Sequence, residues 1–560
     1  MTENEKTGVV SCNMEERKLP VGIQSFEKLR EEGCLYIDKT AYIYELTRQI
    51  SPYFLSRPRR FGKSLLLSTM RAYFEGRRDL FEGLAITELT KDDPEAFVER
   101  PVFYIDFNGE DYSDTETQGE TTQAEASGPE EKGSVHMGIE ARLEGHLRRW
   151  EAIYGADPEN RTLASRFEYV IRTAHTKAGK KVVILVDEYD KPLLESDPDL
   201  DRHNRAVFKG FFSVLKSCDE FIKFIFITGV TKFSKVSIFS DINQLRDISL
   251  SERYAGICGV TEQELMETFT PEIEALARRR KLTVEGCLAK LKKQYDGYHF
   301  SEESEGVYNP YSLLNAFSDL RFGSYWFETG TPTFLINKLK ETKFDPKEFT
   351  SGEITMEPKD LLDYKSDNPN PVPLFYQSGY LTITGYDERF GAYSLNYPND
   401  EVRYGFLGSL APMLLHKERE ANPLDIRSFV RDIESGDTDS LRDRFTALYA
   451  SIPYPEGTDT DNVLERDFQN VAYITFMLLG QYVKAEVHNA TGRADAVVET
   501  DDFVYLFEFK RDRTAEEALR QIEDKGYALP YSADKRKIIK IGVNFNSEKR
   551  TLDGWMVAMD

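Results

Sequence analysis

Arg57-Pro58-Arg59-Arg60-Phe61-Gly62-Lys63-Ser64 follows the short apolar run Tyr53-Phe54-Leu55 and opens onto Leu65-Leu66-Leu67-Ser68-Thr69-Met70, an apolar stretch of helical character. A turn in that setting points backbone N–H groups at one centre beside a helix N-terminus, where phosphate oxygens bind. Lys63 then stands where β- and γ-phosphate charges lie, and the Ser64 hydroxyl where a Mg2+ ion is held. Gly62, Lys63 and Ser64 match the end of the G-x-x-x-x-G-K-[ST] pattern, whose leading glycine is Arg57 here. Taken alone, the octapeptide has a competing reading as a basic turn that only caps a helix.

A second run narrows the choice. Lys181-Val182-Val183-Ile184-Leu185-Val186 has the composition of a buried strand and ends in Asp187-Glu188. A Walker B Asp occupies that position and holds the Mg2+ shell, and the adjacent Glu188 can polarise an attacking water. A further strand, Phe221 to Thr228, would emerge at the same ligand edge of an open sheet. Thr228 is a candidate sensor of the γ-phosphate, with an ordinary strand-end cap as the alternative. Arg59 and Arg60 have two readings: contact with phosphate, including the nucleotide of a neighbouring subunit in a homo-oligomer, or pairing with surface carboxylates.

Apolar runs at Tyr53–Leu55, Val102–Phe107, Val182–Val186 and Phe221–Thr228 alternate with helical patterns. The alternation predicts an α/β fold in which a parallel P-loop NTPase sheet is covered by helices. From Gly259 to about Leu339 the pattern is mainly helical and opens with Thr261 and Glu264 at capping-box spacing, which predicts a helical lid. The expected organisation is a core over 1–258, a lid over 259–339, a Pro-, Asp- and Asn-rich connector over 340–403, and a C-terminal domain over 404–560. Within the core, Gly109 to Glu131 holds eight carboxylates and no Lys or Arg. With little to bury, the stretch of about 109–137 reads as a disordered surface insertion.

At 560 residues the chain exceeds what one hydrophobic core organises, and a 40% hydrophobic content excludes a mostly disordered protein. Met1 to Pro20 lacks the apolar core of a signal peptide, and no later stretch of about 18 residues is apolar and uncharged. The five cysteines are scattered without a C-x-x-C pair, so neither a disulfide framework nor a zinc site is expected. A reducing cytoplasm and no membrane contact are the expectation. The net charge of -24 opposes a generally basic surface, so any nucleic-acid contact needs a local basic groove.

The C-terminal part offers a second chemistry. Strand signals at Tyr482–Val487, Ala494–Glu499, Phe503–Lys510 and Lys537–Phe545 surround a helix expected from about Ala515 to Tyr527. Side chains alternate along a strand, so Glu508 and Lys510 share one face and Phe507 and Phe509 the other. Pairing of the two central strands through Thr500–Asp502 would bring Asp495 to Glu508. Two carboxylates then suit a hard divalent ion, Mg2+ or Mn2+, and Lys510 can orient or deprotonate the water that attacks a phosphodiester. Glu486 on the preceding strand, and Gln521 with Lys525 one turn apart on the helix, are accessory candidates. A half-exposed hairpin with alternating charges is the competing reading.

The residues of the first part resemble the AAA-ATPase-like family found N-terminal to PD-(D/E)XK nuclease domains in bacterial proteins. The resemblance rests on Leu19-Pro20-Val21-Gly22, Tyr36-Ile37-Asp38-Lys39-Thr40, the Arg57 to Leu67 loop, Asp187-Glu188-Tyr189-Asp190-Lys191-Pro192 and Tyr295-Asp296-Gly297-Tyr298-His299-Phe300, and extends through Tyr308-Asn309-Pro310 and Tyr325-Trp326. In that family the leading glycine is commonly absent and the Arg-Arg pair present, and the resemblance implies ATP as ligand. Over about Leu464 to Asn546 the tail resembles the restriction-endonuclease-like PD-(D/E)XK family usually fused to that ATPase. Asp495, Glu508 and Lys510 match its metal and catalytic positions, and Gln521 its helix. Some relatives carry Gln-x-x-x-Tyr there, whereas this chain has Lys525 in the fourth position. The preferred reading is ATP-regulated, metal-dependent cleavage of DNA or RNA, and closure of the lid over nucleotide is expected to couple the two sites. The rival is a signalling or scaffold ATPase whose tail only binds nucleic acid or a protein.

Overall fold

Strands buried on both faces have no use for polar alternation, and the runs Tyr53–Leu55 and Val182–Val186, which end at the candidate ligand edge, are apolar throughout. The computed structural model describes residues 17–49, 51–108, 138–194, 200–233, 245–329, 335, 338–339, 342, 354–362, 370–414, 425–450, 471–487, 494–549 and 551–559. In it, β1 (Tyr53–Ser56), β2 (Val102–Asp106), β3 (Val182–Asp187), β4 (Ile222–Gly229) and β5 (Arg246–Asp247) form a sheet in the order β2-β3-β4-β1-β5. Every pairing is parallel. All residues of β1 and β3 are buried. Each of the aliphatic side chains of β3 contributes about 1.5–3 kcal/mol relative to exposure. Four of the five strands are legible as apolar runs, whereas β5 is a charged dipeptide held beside β1 and gives no such signal.

The registers Leu55↔Thr228 and Val186↔Ile227 bring the C-terminal ends of β1, β4 and β3 to one edge. Helices cover the sheet. Lys63–Phe74 follows β1 directly, and Leu163–Ala178 packs on Asp201–Ser217 through Phe167 and Phe211, stacked 4.5 Å apart.

The helical region opens at Glu262–Arg280 with the expected capping box: Glu264 N donates to Thr261 Oγ1 (3.2 Å), and Thr261 N to Glu264 Oε2 (2.8 Å). Glu264 also accepts from the buried Lys39 Nζ at 2.6 Å, which ties the cap to the Tyr36–Thr40 segment. Val284–Tyr295 and Pro310–Asp319 complete a small core around Leu265, Phe269, Leu291, Tyr295 and Phe317.

After the helical region come β6 (Ile354–Met356), the buried helix Val372–Gln377, β7 (Thr382–Asp387) and β8 (Ala392–Asn396), which form a three-stranded sheet in the order β6-β8-β7. The Pro-, Asp- and Asn-rich stretch, read as a connector with some packed structure around the apolar run Leu374–Ile383, thus contains regular elements.

Two compact units divide the chain: Met1–Tyr325 with Met356–Asn368 and Val372–Tyr393, and Trp326–Thr355 with Pro369–Pro371 and Ser394–Asp560. The second unit contains helices Asp400–Leu414, Ile426–Ser435 and Thr438–Ala450 and a sheet of β9 (Lys484–Val487), β10 (Ala496–Glu499), β11 (Phe503–Arg511), β12 (Lys537–Asn546) and β13 (Thr551–Met559), in the order β13-β12-β11-β10-β9. The pairing β11–β12 is parallel and the others antiparallel. The acidic stretch 109–137 lies outside the described residues. Among the described residues, no helix is long and apolar enough to cross a membrane.

Candidate functional site

The turn after β1 is built from unusual backbone. Gly62 has φ 93° and caps the helix Lys63–Phe74, and Arg60 has φ 64°, a left-handed conformation that costs a side-chain-bearing residue about 1–3 kcal/mol. Lys63, 4% exposed, donates from Nζ to the Arg57 carbonyl (2.9 Å) and the Pro58 carbonyl (3.0 Å), so the loop closes around its own lysine. Ser64 follows it, half-buried, in the first turn of the helix.

Arg57 turns its side chain inward. Its guanidinium donates to the carbonyls of Ser56 (2.8 Å), Ser249 (2.8 Å) and Tyr254 (3.1 Å) and lies 3.7 Å from the Phe300 ring centroid. The position that is glycine in the usual pattern is therefore a buried bolt, and sequence reading missed that role. Arg59 and Arg60 are exposed, and Arg60 sits over the Tyr311 ring at 4.2 Å.

At the end of β3, Asp187 is 1% exposed and accepts hydrogen bonds from Thr228 Oγ1 (2.8 Å) and the Tyr104 hydroxyl (3.2 Å). Thr228 is thus engaged with the carboxylate beside it. Glu188 has φ 49°, and burial raises its pKa above the usual carboxylate range, opposed by the charges of Lys63 and Arg59 and reinforced by Asp187 and Asp190.

The remainder of Asp187-Glu188-Tyr189-Asp190 is structural. Asp190 Oδ2 accepts from Thr231 N (2.6 Å), Thr231 Oγ1 (2.8 Å) and Val230 N (3.0 Å), and the Tyr189 hydroxyl donates to the Thr231 carbonyl at 3.0 Å. Both clamp the turn after β4. A Cβ at Gly229 would lie 2.6 Å from Asp190 Oδ1, so only glycine fits there.

The segment 372–382 also reaches this edge. Gln377 Oε1 accepts from Lys232 N (2.7 Å), Thr382 Oγ1 from His299 N (2.7 Å), and Gly379 packs so closely that a Cβ would lie 2.8 Å from Pro58. Its run of apolar residues is visible in the sequence, but nothing there says what it packs against.

In the C-terminal sheet, Glu499↔Val504 closes the hairpin between β10 and β11 as expected, and Phe507 and Phe509 stack on one side (6.2 Å) while Lys510 Nζ meets Glu508 Oε1 at 2.8 Å on the other. Asp495 Oδ2 accepts from Phe509 N at 2.8 Å, which fixes it next to Glu508. Gln521 Oε1 accepts from Lys510 Nζ at 2.7 Å, and its Nε2 donates to Glu508 Oε1.

Glu508 is 2% exposed, and its Oε2 is buried without a hydrogen-bond partner. Burial raises its pKa, the Lys510 hydrogen bond opposes that rise, and the charge of Asp495 adds to it. A buried, unpartnered carboxylate oxygen beside a second carboxylate is the donor chemistry a hard divalent cation requires, so these residues fit such an ion. No group of three or more His, Cys, Asp or Glu suited to a metal occurs among the described residues.

The helix carrying Gln521 ends at Asp524, earlier than expected, because Lys525 caps it and Gly526 turns left-handed at φ 64°. Lys525 is exposed. The turn instead brings the Tyr527 hydroxyl to 3.4 Å from Gln521 Nε2, a placement that spacing on a continuous helix cannot reveal. Glu486 pairs in register with Val497, and its side chain lies outside the described residues.

Close approach of this helix to the sheet depends on Gly542, the register partner of Glu508. A Cβ there would lie 2.3 Å from the Ala515 carbonyl oxygen and 2.6 Å from Leu519 N. Gly542→Ala should therefore displace the helix, destabilise the domain by about 1–3 kcal/mol and pull Gln521 from Glu508. A denaturant midpoint equal to that of the unaltered protein would show that the helix yields without cost.

A family model described as Predicted AAA-ATPase matches residues 20–239, and one described as PD-(D/E)XK nuclease superfamily matches residues 463–555. A protein of Azotobacter chroococcum mcd 1, described as an uncharacterized protein in the vnfD 5' region, is 36% identical over 556 residues, covering 97% of this chain and 99% of that protein. No solved structure matches.

Proposed function

The chain belongs to the predicted AAA-ATPase family and carries a PD-(D/E)XK nuclease superfamily domain near its C-terminal end, and from that premise we propose that it binds and hydrolyses Mg-ATP and uses the nucleotide state to control metal-dependent cleavage of nucleic acid. The observation that carries the reading is the state of Glu508: a buried carboxylate oxygen without a partner, held between Lys510 and Gln521 and beside Asp495. Lys510 meets Oε1 only, so Oε2 keeps a desolvation cost that a divalent cation would offset and that a scaffold has no need to carry.

In this reading Asp495 and Glu508 hold Mg2+ or Mn2+, which supplies Lewis acidity and a more acidic bound water. Lys510 orients the attacking water, and Gln521 fixes both Lys510 and Glu508. At the other site Lys63, with the loop N–H groups and Arg59 or Arg60, binds the phosphates of ATP. Ser64 and Asp187 hold Mg2+, Glu188 polarises water, and Thr228 steadies Asp187. The division into core (1–258), lid (259–339), connector (340–403) and nuclease-like domain (404–560) belongs to the same proposal, as do a cytoplasmic location and a homo-oligomer in which Arg59 or Arg60 reaches a neighbouring nucleotide.

The test is nicking of supercoiled plasmid and of single-stranded RNA by the full chain with Mn2+, Mg2+ or EDTA, each without nucleotide, with ATP and with a non-hydrolysable analogue. Divalent-dependent cleavage that changes about 5- to 150-fold between nucleotide states is expected, the range of ordinary linkage. Tight nucleic-acid binding without cleavage under every condition would favour the scaffold reading.

A further inference from the structure

We infer that Tyr104 is a positioning residue for the cation side of the nucleotide site: its hydroxyl, with that of Thr228, holds the Asp187 carboxylate in one orientation. The inference rests on the reading of Asp187 as a Mg2+ ligand. Three adjacent strands build the arrangement. β3 carries Asp187, β4 on one side carries Thr228, and β2 on the other carries Tyr104, whose register partner Leu185 stands two residues before Asp187. Residues two apart on a strand share a face, so the Tyr104 ring lies on the face of Asp187 and leans toward the ligand edge.

Thr228 Oγ1 donates to Asp187 Oδ1 at 2.8 Å, and the Tyr104 hydroxyl to Oδ2 at 3.2 Å. One donor on each oxygen stops rotation of the carboxylate. Both donors are neutral, and among the described residues no salt bridge reaches Asp187. Neutral donors stabilise the ionised form without cancelling its charge, whereas an Arg or Lys partner would compete with a cation. A carboxylate accepts about four hydrogen bonds or ligand contacts, so lone pairs remain for the ion's shell.

The Tyr104 hydroxyl meets Asp187 alone among the hydrogen bonds of the described residues. The rest of the ring has a separate, ordinary role, with the Arg71 guanidinium 6.0 Å from its centroid. Tyr104→Phe therefore removes the hydrogen bond and leaves the packing.

The experiment is calorimetric titration of the full chain with ADP, once with Mg2+ and once with EDTA, for the unaltered protein, Tyr104→Phe, Thr228→Val and Asp187→Ala. Partners that orient a metal ligand are worth about 10- to 100-fold in metal affinity. Tyr104→Phe should lose about that factor in Mg-ADP affinity, with ADP affinity in EDTA unchanged, and Thr228→Val should do the same from the other oxygen. A merely structural tyrosine would shift both titrations equally or neither. If Asp187→Ala abolishes the Mg2+-dependent gain while Tyr104→Phe keeps it whole, the inference is overturned and the nucleotide reading stands. If Asp187→Ala itself keeps the gain, the reading of Asp187 fails and the inference with it.

Discussion

Glu508→Gln should reduce divalent-dependent cleavage on the order of 1,000-fold or more, because it removes the charge around which the candidate metal centre is built. Glutamine has the shape of glutamate, so its carbonyl can still accept from Lys510 and Gln521, as Glu508 Oε1 does now. The amide nitrogen then falls where the unpartnered Oε2 lies, and its hydrogens face the place of the cation. Folding should barely suffer. Burial already disfavours the charged form of Glu508, and a neutral amide escapes that cost while giving up the Lys510 ion pair. The melting temperature should therefore change little as Mn2+ affinity and cleavage collapse together. Cleavage within about tenfold of the unaltered protein would remove Glu508 from the metal centre, since even an outer partner of a ligand is worth about that much.

The same residue shows why part of the site was legible in sequence and part was not. Strand alternation alone puts Glu508 and Lys510 on one face, and the short Thr500–Asp502 turn alone brings Asp495 to them, because both are local consequences of backbone geometry. Gln521 was within reach for a similar reason, being on the next helix. Tyr527 was not, since its place depends on a helix that stops at Asp524 and a left-handed Gly526.

In the first unit, Asp187 and Lys63 announce themselves by motif, whereas Tyr104 and Arg57 are recruited across a sheet whose strand order is non-sequential. Tyr104 looks like one aromatic among the 12% of the chain that is aromatic until β2 is placed beside β3. Segment 372–382 is the extreme case: its contacts with Pro58, Lys232 and His299 span more than 80 positions of sequence, and composition marks only a buried run in a polar stretch.

Lys63→Ala should weaken ATP binding about 100-fold or more, as loss of a charge-assisted contact worth up to about 3 kcal/mol would give once the loop also loosens. Lys63 has two tasks, and the variant removes both. Its Nζ holds the carbonyls of Arg57 and Pro58, which shapes the turn, and its buried charge is the one the motif assigns to phosphate. The loss should reach beyond the turn, because Pro58 is the residue on which Gly379 packs, and Gly379 lies on the segment that also grips Lys232 at the end of β4. A nucleotide that pulls Lys63 from those carbonyls changes the surface that segment sees, and the chain runs on from there through β7 into β8. Cleavage by Lys63→Ala should therefore be independent of nucleotide. Calorimetry with ATP, read beside the nicking rate in each nucleotide state, decides the matter. Unchanged ATP affinity would dismiss the phosphate site, and a nicking rate that still follows ATP in a variant unable to bind it at this turn would place the control elsewhere.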